Sequence, residues 1–566
     1  MIMGKAWSES SLKLDLRKIL AIAWHWGMTF TFFLVMGFYL RYYFLSWSED
    51  GTVYNFLSAG SLGSAAGSGS INQSFKANDA EVRYKWEWEF PEVKEIREHE
   101  RFGEEVFGET PRRFVPMGTA SFLFVLVGAY RTGRNTFGVA GLGNKHLYRV
   151  SKPAFECSWV PSPSTPSTSN TSSEAIQSSR EAVRDDVIIN ATAATYTDDD
   201  VSYEDGMEYI TVVVYCTFDA PVGIDGEGGQ LKMIAKHDEA YVYTGLRGVE
   251  FVAMVEQPGV YTESAFDAPF QYDYLYCGPP LQGKISPHRA REWIAYHMRL
   301  FGESSHFIFY DAGGMDDVLW RVWEPWVKLR RVSVMNVRMQ ARYKGFYANQ
   351  FVLANDCLLR AKTLAKWTFF FDIDEYLHLS HGDLLESSFH ELMAEMAERG
   401  RRATTIELQQ RPMLPDHCVR NDADSTLHER QWAIEKLVYR RKVNTSAAVW
   451  SHWQDIKAIH QAKYVLGRGI HWARHVEVPP GMEEWETMTK MNIQGCKNCY
   501  ENKLHYYHFH GTTKRAPNEE VCKVFIDPNV THFETDGATH EFDNTMSFLA
   551  DTVREFEHHM IGEVTI

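Results

Sequence analysis

The run Trp367-Thr-Phe-Phe-Phe-Asp372-Ile-Asp374-Glu375-Tyr376 closes an apolar segment with two aspartates one residue apart. In extended backbone, side chains at i and i+2 point the same way, so Asp372 and Asp374 can share one ligand. Hard divalent cations such as Mg²⁺ and Mn²⁺ favour carboxylate oxygens and often bind phosphates as well. Ligands of open α/β sheets gather at the carboxyl ends of strands, where this pair is expected. The pair therefore reads as a metal–diphosphate site. A solvated strand end explains an isolated Asp-x-Asp just as simply, so the weight falls on the rest of the chain. Far downstream, His508 and His510 repeat the i, i+2 spacing in a segment read as strand, so both could face one side.

The elements that must position these residues are legible as alternation. Tyr272 to Cys277 reads as a strand, and Pro287 to Phe301 carries a helical stripe of Trp293, Ile294, His297 and Leu300. His306 to Tyr310 reads as a strand ending in Asp311-Ala-Gly-Gly314. Asp316 to Leu329 reads as a helix interrupted near Pro325, Val332 to Val337 as a strand and Tyr347 to Leu364 as a helix. Strand–helix–strand repetition predicts a parallel sheet covered on both faces. Upstream, from about Val82 to Gln257, the signals are β-like, as in Ala120–Gly128 and Tyr209–Phe218, punctuated by Gly and Pro. This predicts an all-β, sandwich-like module over 82–257, broken by a Ser/Thr/Pro-rich insertion at about 161–186 that reads as an exposed, disordered loop. The following domain is expected over 258–566.

A chain of 566 residues is too long for one ordinary domain. Its formal charge of −16 argues against nucleic acid as a partner. Residues 19–40 contain no Asp, Glu, Lys or Arg and match a bilayer core of about 30 Å in length. Lys13, Arg17 and Lys18 precede them, which predicts a cytosolic tail at 1–18, a transmembrane signal anchor at 19–40 and a lumenal body. A Gly/Ser/Ala-rich stretch within 41–81 reads as a stem. Sequons at Asn72, Asn170, Asn190, Asn444 and Asn529 and eight cysteines fit such a compartment weakly, and some cysteines should pair. Cys496-x-x-Cys499 has no second pair at finger spacing and reads as a disulfide or two thiols.

The strings Tyr272–Gly278, Arg291–His297, Ser305–Gly314, Asn349–Leu358, the Phe-Asp-Ile-Asp-Glu-Tyr run, Arg430–Tyr439 and Tyr506–His510, in that order, resemble the plant pectic β-1,4-galactan synthases of glycosyltransferase family 92. The resemblance runs with gaps from about Val115 to the C-terminal region. It implies a GT-A type, Rossmann-like catalytic domain behind a carbohydrate-binding β module, in a type II Golgi membrane protein. It implies transfer of galactose from UDP-galactose to a β-1,4-galactan acceptor, with inversion and Mn²⁺ (or Mg²⁺), and it admits a homodimer.

On that resemblance Asp372 and Asp374 hold the cation, and one of His508 and His510 supplies a third ligand, with His510 preferred. Inversion in one step needs a base for the acceptor hydroxyl. Glu435 matches a family position and is the first candidate, with Asp416 second; a structural ion pair would explain Glu435 equally. Asp311 is expected on the uridine or ribose, with capping of the next turn as its alternative. Gly278 opens a Gly-Pro-Pro-Leu turn expected to wall the nucleotide. Asn355 and Asp356 could orient the diphosphate, although packing and capping serve as well, and Glu375 would shape a substrate pocket. Trp86, Trp88 and Trp159 could stack on sugars, though burial is the commoner fate of tryptophan. The chain departs from the family pattern at Trp453–Lys457, Pro412–Pro415 and Gly469–Ala473. Those departures keep open another donor or acceptor, or a tethered glycan-binding protein without activity. A two-metal hydrolase is the weakest option, because no dense His/Asp cluster is visible.

Overall fold

The computed structural model describes residues 114–566 other than 118–122, 151, 163–187, 198–205, 237–247, 268, 380–385, 400–404, 421–431, 443–455, 470, 472, 478–487, 490–503, 514–521, 536 and 565. The chain divides into two compact units, 1–88 and 89–566, and all described residues lie in the second.

Eight antiparallel strands form the first sheet: β1 (Val115–Met117), β2 (Phe124–Arg131), β3 (Thr136–Asn144), β4 (Ala154–Pro161), β5 (Ile189–Thr197), β6 (Tyr209–Thr217), β7 (Gly229–Lys236) and β8 (Val249–Glu256). Their order is β1-β2-β3-β6-β5-β4-β7-β8. The sheet curls on itself, since Phe124 of β2 stacks on Phe251 of β8 although the two strands are far apart in that order. Trp159 is fully buried in the resulting core against Phe137, so it presents no face to a sugar. Trp86 and Trp88 lie outside the described residues.

The second sheet contains β9 (Tyr272–Leu281), β10 (Ser305–Asp311), β11 (Val332–Asn336), β12 (Ala365–Phe369), β13 (Glu375–Leu379), β14 (Thr405–Pro412) and the strands Ile456–His460, Met488–Thr489 and Leu504–His508. β11, β10, β9 and β12 are parallel. Ile456–His460 then pairs antiparallel with both β12 and β14, and β13 pairs antiparallel with Leu504–His508.

This corrects the expected GT-A type, Rossmann-like α/β fold. Strand predominates over helix among the described residues, one large sheet is wholly antiparallel and the other is mixed. The cause is local: after β12 no crossover helix returns the chain. Residues 370–374 lead directly into β13, and later strands enter in the opposite sense.

Among the described residues no helix is long and apolar enough to cross a membrane. The expected single-pass type II Golgi topology is withdrawn on that finding; residues 19–40 themselves lie outside the described residues.

Two helices position the site. Pro287–Phe301 starts at a Ser286 cap and buries Trp293, Ile294, Tyr296, His297 and Phe301 against the second sheet. Its apolar stripe is therefore core. The helix Gln350–Leu364 is packed between the two sheets, in one core with Val125, Val213, Leu275 and Ile308. Cys277–Cys357 ties it to β9 and closes an 80-residue separation. In chain-entropy terms that cross-link is worth about 4 kcal/mol. Cys157–Cys216 and Cys418–Cys522 also pair, while Cys496 and Cys499 lie outside the described residues.

Candidate active site

The two aspartates do not share a strand end. β12 stops at Phe369, and Asp372 and Asp374 sit in the turn before β13. The Glu375 N–H donates to the Asp372 carbonyl at 3.1 Å, and Glu375 Oε2 accepts the Asp372 N–H at 2.7 Å. An acidic side chain thus closes its own turn, as short polar side chains do where backbone donors would otherwise be orphaned.

Buried aromatic donors hold the backbone on either side. Tyr276 Oη donates to the Phe371 carbonyl at 2.6 Å, Trp293 Nε1 to that of Glu375 at 2.8 Å, and Tyr296 Oη to that of Leu377 at 2.6 Å. Each donor lies in the core, so releasing it would strand a buried carbonyl and a buried donor together. The turn is therefore rigid for a reason that resides in the helix Pro287–Phe301 and β9.

Within this frame the charges are close. Lys457, on the strand between β12 and β14, places Nζ 3.0 Å from Asp372 Oδ2 and 3.2 Å from Glu375 Oε2. The Lys457 and Glu375 side chains are 4% and 2% exposed, whereas that of Asp372 is 37% exposed. Burial pushes the Glu375 carboxyl up to about 7 despite Lys457. Burial also opposes the Lys457 charge, yet Asp372 and Glu375 hold its pKa above the ordinary lysine value.

The segment after Leu504–His508 wraps over Asp374. The Phe509 N–H donates to the Asp374 carbonyl and the Gly511 N–H to Asp374 Oδ2, both at 2.9 Å. Gly511 adopts φ of 72°, a left-handed conformation that glycine takes without steric cost. Asp374 Oδ1 faces His508 Nε2 at 3.6 Å, and His508 Nδ1 meets Gln410. That separation is too long for a hydrogen bond and near the spacing of about 3 Å between neighbouring ligands of one octahedral ion. His510 is exposed, its ring 5.0 Å from that of His508. The structure therefore brings His508, not the preferred His510, to the carboxylates.

In kind, the two carboxylates suit Mn²⁺ or Mg²⁺, while the imidazole favours the softer transition metals. As they stand, no three His, Cys, Asp or Glu side chains among the described residues are gathered to hold a metal. Asp374 and His508 are at ligand spacing, and Asp372 is turned onto Lys457. The donors fit a cation in kind, and of the three only Asp374 and His508 stand at ligand spacing.

The remaining candidates separate. Glu435 stands in the short helix Ala433–Lys436, accepts the Trp432 N–H at 2.6 Å and takes Arg554 on both oxygens at 2.7 and 2.9 Å. That helix is pinned near the turn by buried Glu292, which accepts from Ala433 N–H at 2.8 Å and from Tyr376 Oη at 3.1 Å. Asp416 pairs with His417 at 2.7 Å beside the Cys418–Cys522 bridge.

Asp311 caps its own loop, accepting from Gly313 and Met315 N–H, and pairs with Arg338 at 2.9 Å. Gly278 lies inside β9, not in a turn; an added Cβ would meet Phe309 Cδ1 at 2.9 Å, so close strand packing requires it. Asn355 exchanges hydrogen bonds with the Arg468 backbone at 2.9 Å in each direction. Asp356 is fully buried between Tyr130 at 2.6 Å and Tyr310 at 3.1 Å.

Sequence reading assigned no site role to Glu292 or the three aromatic donors, and named Lys457 only as the end of the departing segment Trp453–Lys457. Glu292 stands next to Arg291 and carries no particular signal; for Lys457 the available signal was a charge among apolar residues, in Ile456-Lys-Ala-Ile. Such a residue is seldom buried without a partner.

The model of glycosyltransferase family 92 matches residues 272–536. The chain is 35% identical over 456 residues to galactan beta-1,4-galactosyltransferase GALS1 of Arabidopsis thaliana, covering 80% of this chain and 79% of that protein. It is 33% identical to galactan beta-1,4-galactosyltransferase GALS2 of the same plant, covering 80% and 76%.

Proposed function

The chain belongs to glycosyltransferase family 92, and from that premise we propose that it transfers galactose from UDP-galactose onto β-1,4-galactan with inversion and a divalent cation. The relatives' names support the sugar and the acceptor. The observation that carries the site assignment is Asp374 facing His508 at 3.6 Å in a turn braced from the core.

Asp374, His508 and Asp372 would hold Mn²⁺ or Mg²⁺. Bound there, the cation would neutralise the charge that develops on the departing diphosphate. The chain's own residues do the rest. Tyr276, Trp293 and Tyr296 fix the backbone of the turn, so Asp374 needs little reorganisation, while Asp372 has to leave Lys457. The acceptor hydroxyl oxygen bonds to the anomeric carbon as the bond to the UDP oxygen breaks, and its proton passes to a carboxylate. Glu435 is assigned that proton, because Glu292 pins its helix beside Tyr376, two residues from Asp374. Arg554 sets the orientation of the Glu435 carboxylate through two parallel hydrogen bonds.

The test is turnover of a panel of UDP-sugars on galactooligosaccharides, with and without Mn²⁺, followed by linkage analysis. UDP-galactose turnover that needs Mn²⁺, yields β-1,4 product and disappears in Asp374→Ala is expected. Unchanged turnover in the folded variant would reject the metal assignment, and a different preferred donor would reject the sugar.

A further inference from the structure

Among the described residues Lys457 is the one lysine or arginine that touches two of the turn's carboxylates; His508 lies 3.6 Å from Asp374 and 3.9 Å from Glu375. Its two contacts serve different needs. Glu375 is buried beside Asp372 and Asp374, so its charge requires a compensating partner inside the protein. Asp372 is more than one-third exposed, so water can solvate it and its contact with Lys457 is separable. Lys457 itself cannot retreat to solvent: it stands on a strand flanked by β12 and β14. A divalent ion taken up by Asp372 would therefore come to rest within a few ångströms of a fixed ammonium group. Arg468 adds to the positive surroundings of Asp372.

We propose that Lys457 is a positioning residue that competes with the divalent cation for Asp372. It neutralises the turn when no cation is held and releases Asp372, while keeping Glu375, when one is. The proposal rests on the cation site assigned under the proposed function. Its consequence is that the site holds a bare cation weakly and gains affinity when a nucleotide diphosphate brings negative charge with it, a coupling that must be reciprocal.

The test uses the whole protein, stripped of metal. Mn²⁺ is titrated with and without UDP, and the free ion is followed by electron paramagnetic resonance. Lys457→Met keeps the length of the side chain and removes the charge; Lys457→Arg keeps the charge. The Met variant is expected to bind Mn²⁺ about tenfold more tightly without UDP, the scale of repulsion between a unit charge and a divalent ion a few ångströms away even in a water-like dielectric. The Arg variant is expected to stay close to wild type. A merely structural lysine would predict the reverse, since a loosened turn binds cations less well.

A folded Met variant with unchanged or weaker Mn²⁺ affinity overturns the proposal while leaving the cation site standing. A Met variant that folds only with Mn²⁺ supports it, because the ion then replaces the ammonium group. One that stays unfolded at saturating Mn²⁺ overturns it. If neither wild type nor the Met variant takes up Mn²⁺ even with UDP, the cation site falls and this competition falls with it.

Discussion

Asp356 and the Asp372/Asp374 pair offer the same carboxylate chemistry in two settings. Asp356, on the helix between the two sheets, has no exposed surface. One oxygen takes Tyr130 of the first sheet, and the other takes Tyr310 of the second with Arg360 nearby at 3.8 Å. Its partners form a closed set that joins the sheets. Among the described residues Asp372 pairs with one lysine and has an exposed side, and Asp374 takes the Gly511 N–H on one oxygen and aims the other at an imidazole beyond hydrogen-bond reach. Of these three aspartates, the one whose partners are complete serves the architecture, and the pair left open can take a ligand.

Substitutions should expose that difference, and the largest effect is expected at the open pair. Asp374→Ala should lower Mn²⁺-dependent transfer by about 10³-fold, the scale of removing a preorganised electrostatic contact. Its urea midpoint should fall, since the Gly511 N–H loses its acceptor, but by less than that of Asp356→Ala. Comparable loss of transfer and of stability would erase the contrast. Glu435→Gln should follow, with a fall of about 10²-fold or more in kcat if it receives the proton. Asp416→Asn, whose carboxylate pairs only locally with His417, should stay within about threefold. The opposite ranking in kcat moves the base to Asp416.

The closed carboxylate should behave in the other way. Asp356→Ala removes the acceptor of two tyrosine hydroxyls and the carboxylate beside Arg360, at a cost of about 3–5 kcal/mol. Urea unfolding measures that cost, and transfer per folded molecule should persist. Loss of transfer without loss of stability would return Asp356 to the diphosphate.

Much of this contrast was legible before any coordinates. The acidic run, the histidines and the helix Pro287–Phe301 follow from local spacing and an apolar stripe, which a short window carries. Pairing direction is different: a strand's period does not say which neighbour it meets. The antiparallel entry of Ile456–His460 beside β12 was therefore hidden, and the expected Rossmann-like sheet with it. The same holds for Gly278, which reads as a turn beside two prolines. A register shift between Ile308 and Tyr310 of β10 instead lets β9 run on to Leu281. Lys457 reaches Asp372 from 85 residues away, a distance no local motif spans.

The last expected effect shows only as a slope with pH and concerns Glu292, a closed carboxylate that lies next to the open site through Tyr376. It is buried with Arg289 at 2.9 Å, and burial pushes its carboxyl up to about 7. An acid whose folded pKa lies above its unfolded value binds more protons folded than unfolded. Its contribution to stability is therefore most favourable below the unfolded pKa of about 4.5 and declines as pH rises through about 7. At 1.36 kcal/mol per unit the full decline is about 3 kcal/mol. Glu292→Gln cannot titrate, so its stability relative to wild type should rise steadily between pH 4.5 and 7 and then level off. The slope decides the matter, because any hydrogen-bond mismatch made by the amide is a constant offset. Parallel pH profiles in urea unfolding would mean that Arg289, Ala433 and Tyr376 already compensate the buried charge. Glu292 would then be as fully closed as Asp356.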